Sequence, residues 1–249
     1  MNHELWNHVV DIFSPPTWLC PVCGAGTLIF VDKSYRSEPD SNTRRGWGHE
    51  SWDPSCDSGY FSCLLRCANA KCEEPVLVAG RYKTDEVPDQ QYGSLAKQIQ
   101  YPVSLIPPPS IISIPDCCPS AIADIIKISF SLYWMDPGAA ANKLRLAIER
   151  YLDYKKIRKT GRNRKDWLTT HHRIIDLGKY SDKNKDKSDI LLAIKWIGNT
   201  GSHNELSRKD VLDAYEMLEH VLALEFSPKN SQIQALAKKI NKKKGPVKP

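Results

Sequence analysis

Asp189-Ile190-Leu191-Leu192-Ala193-Ile194-Lys195-Trp196-Ile197-Gly198-Asn199-Thr200-Gly201-Ser202-His203-Asn204 reads as an amphipathic helix running into a polar end. Lys195, Asn199 and His203 fall at i, i+4 and i+8, which puts an amine, an amide and an imidazole on one side of a helix end if helical spacing continues past Gly198. Histidine exchanges protons near neutral pH, so this side either handles a phosphodiester or hydrogen-bonds a neighbouring helix.

Further helices flank that stretch. Ser120 to Trp134 carries an apolar stripe, and Asp136-Pro137 places a cap and a first-turn proline ahead of a long helix over Ala139 to Ile157. Leu168 to Leu177 and Ser188 to Ile197 predict two more, and Ser207-Arg208-Lys209-Asp210 opens another through Phe226 in the manner of a capping box. Pro228 stops it, and Ser231 to Lys244 predicts a basic terminal helix. Upstream, Pro107-Pro108-Pro109, Pro115 and Pro119 mark a stiff, extended connector.

The half before that connector is organised by cysteine. Cys20-Pro21-Val22-Cys23 followed by Gly24 has the form of a zinc knuckle, a tight turn that brings two thiolates to one ion. Cys67 and Cys72 supply the complement, and Thr27 to Val31, Tyr60 to Arg66 and Pro75 to Ala79 read as the strands around both pairs. A four-thiolate site leaves zinc no open position, so the predicted zinc at Cys20, Cys23, Cys67 and Cys72 is structural. The 43 residues between the pairs hold an aperiodic insertion over Ser34 to Ser58. Cys56 and Cys63 remain candidate substitutes for a knuckle ligand, with Cys63 alternating on a strand face as a core residue does, and Cys117-Cys118 fall near a helix start.

The fold class that follows is α+β: a small β zinc ribbon with a long insertion over residues 1–106, a proline-rich connector over 107–119, an all-α bundle over 120–228 and a basic tail over 229–249. With 249 residues and 41% hydrophobic content the chain can bury a sizeable core in two domains. No stretch approaches the roughly 20 apolar residues that cross a bilayer, and the first residues lack a signal peptide's pattern, so a cytoplasmic protein without membrane contact is expected. The net charge of +6 is uneven: Lys229 to Pro249 holds seven lysines and no acid, leaving the preceding residues at −1. Lys155 to Lys165 gathers seven more cations, and Lys155, Lys156, Arg158, Arg162, Arg164, Lys242 and Lys243 are the candidate phosphate contacts. A solvated loop and a soluble tail are the other reading. Gly-rich phosphate loops and a Ser-His-Asp order are absent, so nucleotide hydrolysis and acyl transfer lack support.

The cysteine ribbon, the proline connector, Ala140-Ala141-Asn142-Lys143-Leu144-Arg145-Leu146-Ala147-Ile148-Glu149, Arg173-Ile174-Ile175-Asp176-Leu177 and Ile194-Lys195-Trp196-Ile197-Gly198-Asn199 with His203 together resemble a prokaryotic family that joins a zinc-ribbon-like segment to a HEPN-superfamily helical domain. The resemblance covers most of the chain and least of the insertion. It implies a HEPN-like helical bundle, usually a homodimer, in a superfamily with many metal-independent endoribonucleases of toxin–antitoxin and antiphage defence systems. Those enzymes share an arginine followed, after about four to six residues and often directly by a polar residue, by a histidine. Asn199 and His203 match the polar residue and the histidine, Gly198 stands where the arginine would, and Lys195 is the nearest upstream cation. Arg145 either supplies the guanidinium from a facing helix or pairs with Glu149. The implied chemistry is transesterification by the RNA 2′-hydroxyl, with His203 as general acid or base and Lys195 or Arg145 stabilising the phosphorane. RNA, a second copy of the chain and a sensor or antitoxin protein are the implied partners. The alternative is a non-catalytic nucleic-acid or protein-binding module of a defence complex.

Overall fold

The computed structural model describes residues 1–89, 93–161, 166–179, 182–200, 206–243 and 245. The protein is α+β, an antiparallel sheet followed by a helical region. It divides into two compact units. One comprises Asn2–Ile111 with Phe130–Asp136, the other Met1, Ile112–Ser129 and Pro137–Pro249.

The first unit is built on five strands, β1 (Leu28–Phe30), β2 (Arg36–Pro39), β3 (Ser58–Cys67), β4 (Pro75–Asp89) and β5 (Gly93–Ile106). Strand β3 alternates cleanly: Phe61, Cys63, Leu65 and Cys67 are buried while Tyr60 and Arg66 are exposed, the period-2 pattern of a sheet with one packed face. The sheet runs β1-β3-β4-β5, and β2 lies beside β3 further along the same edge. Strand β1 pairs with Leu65 to Cys67 and β2 with Gly59 to Ser62, so the two are one broken edge strand. Lys33, with φ 60°, marks the break, and the Ser34 hydroxyl fills it by accepting from Leu64 N–H at 3.0 Å and donating to Val31 C=O at 2.6 Å. Trp6, Trp18 and Trp134 form an aromatic cluster with ring centroids 5.3–6.3 Å apart. The Trp18 indole N–H donates to Leu5 C=O, satisfying its buried polar end.

This sheet is larger than the ribbon expected from sequence. Strand β4 extends ten residues beyond Ala79 and pairs along its length with β5, a strand the sequence reading did not place. The segment expected to be an aperiodic insertion holds β2, a short helix α1 (Ser41–Gly46) capped by Asp40, and a 3₁₀ turn (Pro54–Cys56).

The helical region comprises α2 (Ser120–Met135), α3 (Pro137–Tyr154), α4 (Thr170–Gly178), α5 (Asp182–Thr200), α6 (Arg208–Phe226) and α7 (Pro228–Lys243). Their starts follow capping chemistry. Pro137 opens α3, Thr169 Oγ1 accepts from His172 N–H ahead of α4, and Ser207 and Asp210 form a reciprocal capping box on α6. Helix α3 ends three residues earlier than expected, and Lys156, with φ 57°, sits in the turn that follows. Helix α5 runs longer at both ends than the Ser188 to Ile197 core and packs against α3, α4 and α6. Leu144, Ile148, Leu177, Leu191, Ile194 and Tyr215 are among the side chains buried in this unit. Among the described residues no helix is long and apolar enough to cross a membrane.

Candidate metal centre and candidate helical site

The four cysteines singled out by spacing come together. Cys20, Cys23, Cys67 and Cys72 place their sulfurs within 4.8 Å of one another, with Cys20 and Cys72 at 3.8 Å and Cys23 and Cys67 at 3.6 Å. These separations are far from the roughly 2 Å of a disulfide and leave space for one ion among four thiolates. Two knuckles build the group in the same way: Val22 N–H points to Cys20 Sγ at 3.4 Å, and Asn69 N–H to Cys67 Sγ at 3.4 Å. Gly24, with φ 62°, turns the first knuckle. Gly26 closes it on the second, because a Cβ there would sit 2.5 Å from Cys67 Sγ and 2.9 Å from the Asn69 backbone.

Hydrogen bonds from the Gly26 and Ala25 N–H groups lower the Cys23 thiol to about 6, whereas burial pushes Cys67 up to about 12. A bound cation would favour the thiolate at both. Cys56 is exposed in its 3₁₀ turn and outside the group, and buried Cys63 belongs to the packed face of β3, where burial raises its thiol to about 12. Neither replaces a knuckle ligand. Cys118 is buried and Cys117 exposed just before α2.

In the helical unit, Lys195 and Asn199 lie one turn apart on α5, while His203 falls outside the described residues. Arg145 stands on α3 directly across from α5. A Cβ at Gly198 would meet Arg145 Cβ and Ala141 C=O, each at 2.9 Å, so the absent side chain is what lets the two helices approach. The structure therefore brings Arg145 beside Gly198. Arg145 donates to Glu149 at 2.9 Å and to Asn142 Oδ1 at 3.2 Å. Lys195 is buried, and its Nζ lies 3.3 Å from the Trp196 ring centroid, a cation–π contact. Burial, together with the Arg145 charge, lowers the Lys195 amine below the usual lysine value.

Sequence reasoning passed over two neighbours of that face. The His171 ring on α4 lies 5.7 Å from Trp196, itself 54% exposed, and His171 Nδ1 is buried with no hydrogen-bond partner among the described residues. Thr170 Oγ1 donates to Glu149 at 2.8 Å, joining α4 to the Arg145 pair. The run Thr170-His171-His172 is the signal in the sequence, and the packing of α4 against α5 gives it a place.

The candidate phosphate contacts divide. Lys155 is drawn to Glu225 at 2.7 Å and Arg158 to Asp176 at 3.1 Å, while Lys156 and Lys242 are exposed. Lys243 is the last residue of α7, and Arg162 and Arg164 fall outside the described residues. A different basic and aromatic row crosses the sheet. Tyr60, Arg81 and Tyr101 are direct register partners on β3, β4 and β5, with the Arg81 guanidinium 5.9 Å from the Tyr60 ring centroid.

Two family models match the chain. One, described as a domain of unknown function (DUF8608), covers residues 11–103, including the four cysteines. The other, described as a domain of unknown function (DUF4145), covers residues 127–243, including α3 to α7. No curated protein and no solved structure matches it.

Proposed function

We propose that the protein is an RNA-binding, metal-independent endoribonuclease whose helical unit is HEPN-like and whose four cysteines hold a structural zinc ion. The observation that carries the nuclease reading is the close approach at Gly198, with Arg145 supplying from α3 the guanidinium that α5 lacks, beside Lys195 and Asn199. In this reading the 2′-hydroxyl of RNA attacks the neighbouring phosphorus and the 5′-oxygen leaves, giving a 2′,3′-cyclic phosphate and a 5′-hydroxyl. His203 moves the proton, and Arg145 and Lys195 oppose the negative charge of the phosphorane. The reacting centre uses no metal, as in the ribonucleases that the chain resembles.

The zinc assignment is supported by distance. Four sulfurs at the roughly 2.3 Å bond length of tetrahedral zinc stand about 3.8 Å apart, close to the 3.6 and 3.8 Å separations of the two pairs. Closed by four thiolates, the ion folds its unit and takes no part in the chemistry. The Tyr60, Arg81 and Tyr101 row fits single-stranded RNA, since aromatic faces and a guanidinium stack on bases. A homodimer and a sensor or antitoxin protein of a bacterial defence system complete the proposal.

One observation favours a second reading, a binding module without catalysis: Arg145 is already engaged by Glu149 and Asn142. Comparing Arg145→Ala, Lys195→Ala and His203→Ala for RNA cleavage and RNA binding separates the two. The nuclease reading expects cleavage to fall by about 10²–10⁴-fold in His203→Ala with binding retained. Binding without cleavage in the wild type, unchanged by all three, assigns the module.

A further inference from the structure

The cavity between α3 and α4, which meets the Arg145 pair at Glu149 and Thr170, has an electrostatic imbalance. About 310 Å³ in volume, it is bordered by Arg150, Asp153, Lys159, Arg173 and Trp167. Three cations converge there on one carboxylate: Arg173 at 2.7 Å, Lys159 at 2.9 Å and Arg150 at 3.8 Å from Asp153. The other bordering carboxylate, Glu149, is balanced by Arg145 and accepts from Thr170. Among the described residues, two positive charges are thus left over at the cavity wall.

Arg173 makes this surplus costly. It is 6% exposed, and its Nη2 donates to Asp153 and to Ile157 C=O. Its Nε is buried without a hydrogen-bond partner among the described residues. Buried guanidinium groups destabilise a fold unless negative charge and acceptors surround them, and a single shared carboxylate does not suffice for three cations. The first turn of α4 adds to the same sign of potential, because Thr169 and Thr170 at its N-terminus line the cavity.

We infer that this cavity binds the terminal phosphate of a nucleotide. A phosphate monoester carries about −1.5 to −2 charges at neutral pH, matching the excess of two, whereas an internal diester carries one. Lys159 and Arg150 are about half exposed and can reach an incoming anion. Trp167, 76% exposed, stands at the rim and offers its ring to a base. Lys159 and Trp167 are held at one rim by the Thr160 and Trp167 bridge and by Leu168 N–H donating to Lys159 C=O at 2.8 Å. The volume lies at the small end of ligand pockets, which run from about 300 to 1,000 Å³, and suits one nucleotide unit. The site stands whether or not the chain cleaves RNA. Its ligand is either a free nucleoside 5′-monophosphate or the 5′-phosphorylated end of a strand.

Calorimetry on the zinc-loaded full chain tests it with AMP, adenosine, and a short deoxyoligonucleotide with or without a 5′-phosphate, a strand that 2′-hydroxyl chemistry cannot cleave. Expected is AMP binding at least tenfold tighter than adenosine. Lys159→Ala and Arg150→Ala should each weaken AMP about tenfold, and Trp167→Ala should weaken AMP but not inorganic phosphate, all with the circular dichroism of the wild type. A phosphorylated strand that binds tighter than AMP assigns the strand end, and the reverse assigns the free nucleotide. Equal binding of AMP and adenosine, no binding of either, or affinity for AMP unaltered in the three variants overturns the inference.

Discussion

Gly198 shows how one residue can be visible in a sequence and still have its meaning hidden. Its identity departs from the arginine of the ribonuclease pattern, but only the packed helices show that a side chain there would press on Ala141 and Arg145. Gly198→Ala should therefore destabilise the helical unit by about 1–3 kcal/mol, the usual cost of overpacking, read as a lower melting temperature. Gly198→Arg, which places on α5 the arginine of the ribonuclease pattern, should lose more stability and gain no cleavage. A Gly198→Arg protein as stable as the wild type would show that α3 and α5 do not meet as described. Gly26 behaves alike at the metal centre: Gly26→Ala forces a Cβ toward Cys67 Sγ, and metal analysis should find less than one zinc per chain. The four clustered cysteines were legible because two short cysteine pairs are a local pattern, whereas the exclusion of Cys56 depends on where a long segment folds.

At the level of elements, helices announced themselves better than strands. Pro137 and the Ser207 and Asp210 box are local signals that act within a turn, so α3 and α6 begin where the residues say. Strand β5 carries Pro102 inside its run, a residue that removes a ladder N–H and argues against a strand. The structure accommodates it on an edge strand, opposite Gly80 where the register shifts past Val103, an arrangement that only the partner strand reveals. The same pairing creates the Tyr60, Arg81 and Tyr101 row. If that row stacks RNA bases, Tyr60→Ala and Tyr101→Ala should each weaken binding of a single-stranded oligonucleotide by about 1–3 kcal/mol in fluorescence anisotropy. Affinity equal to wild type in both variants would leave the sheet face without that role.

On the scale of the whole molecule, charge networks within the helical unit set its response to acid. Glu225 accepts from Tyr151, Lys155 and Lys187, and although burial alone would raise its carboxyl, the two ammonium groups prevail and lower it. The same balance lowers Asp153 through Lys159 and Arg173, and the Lys179 and Arg158 hydrogen bonds lower Asp176. Carboxyls depressed in the folded state contribute stability above their unfolded values of roughly 4, and that contribution disappears as pH falls through the folded values. The melting temperature should therefore hold from neutral pH to about 5 and decline below about 4. Glu225→Ala, which leaves Lys155 and Lys187 without their carboxylate, should cost roughly 3 kcal/mol at pH 7. A melting temperature that rises on acidification, or a Glu225→Ala protein as stable as wild type, would contradict this assignment.

Chelation should act on the other unit. Removing a metal bound by the four cysteines should abolish the cooperative unfolding of the sheet while the helical signal in circular dichroism persists. Loss of all helical signal on chelation would place the metal's influence elsewhere. The central claim, that the helical unit cleaves RNA by 2′-hydroxyl attack, is tested most directly by the ends of the product. Zinc-loaded protein incubated with RNA in buffer without added divalent ions should leave 2′,3′-cyclic phosphate and 5′-hydroxyl ends, and His203→Ala should leave the RNA intact. Uncut RNA with the wild type, or 3′-hydroxyl and 5′-phosphate ends that His203→Ala produces equally well, would contradict it.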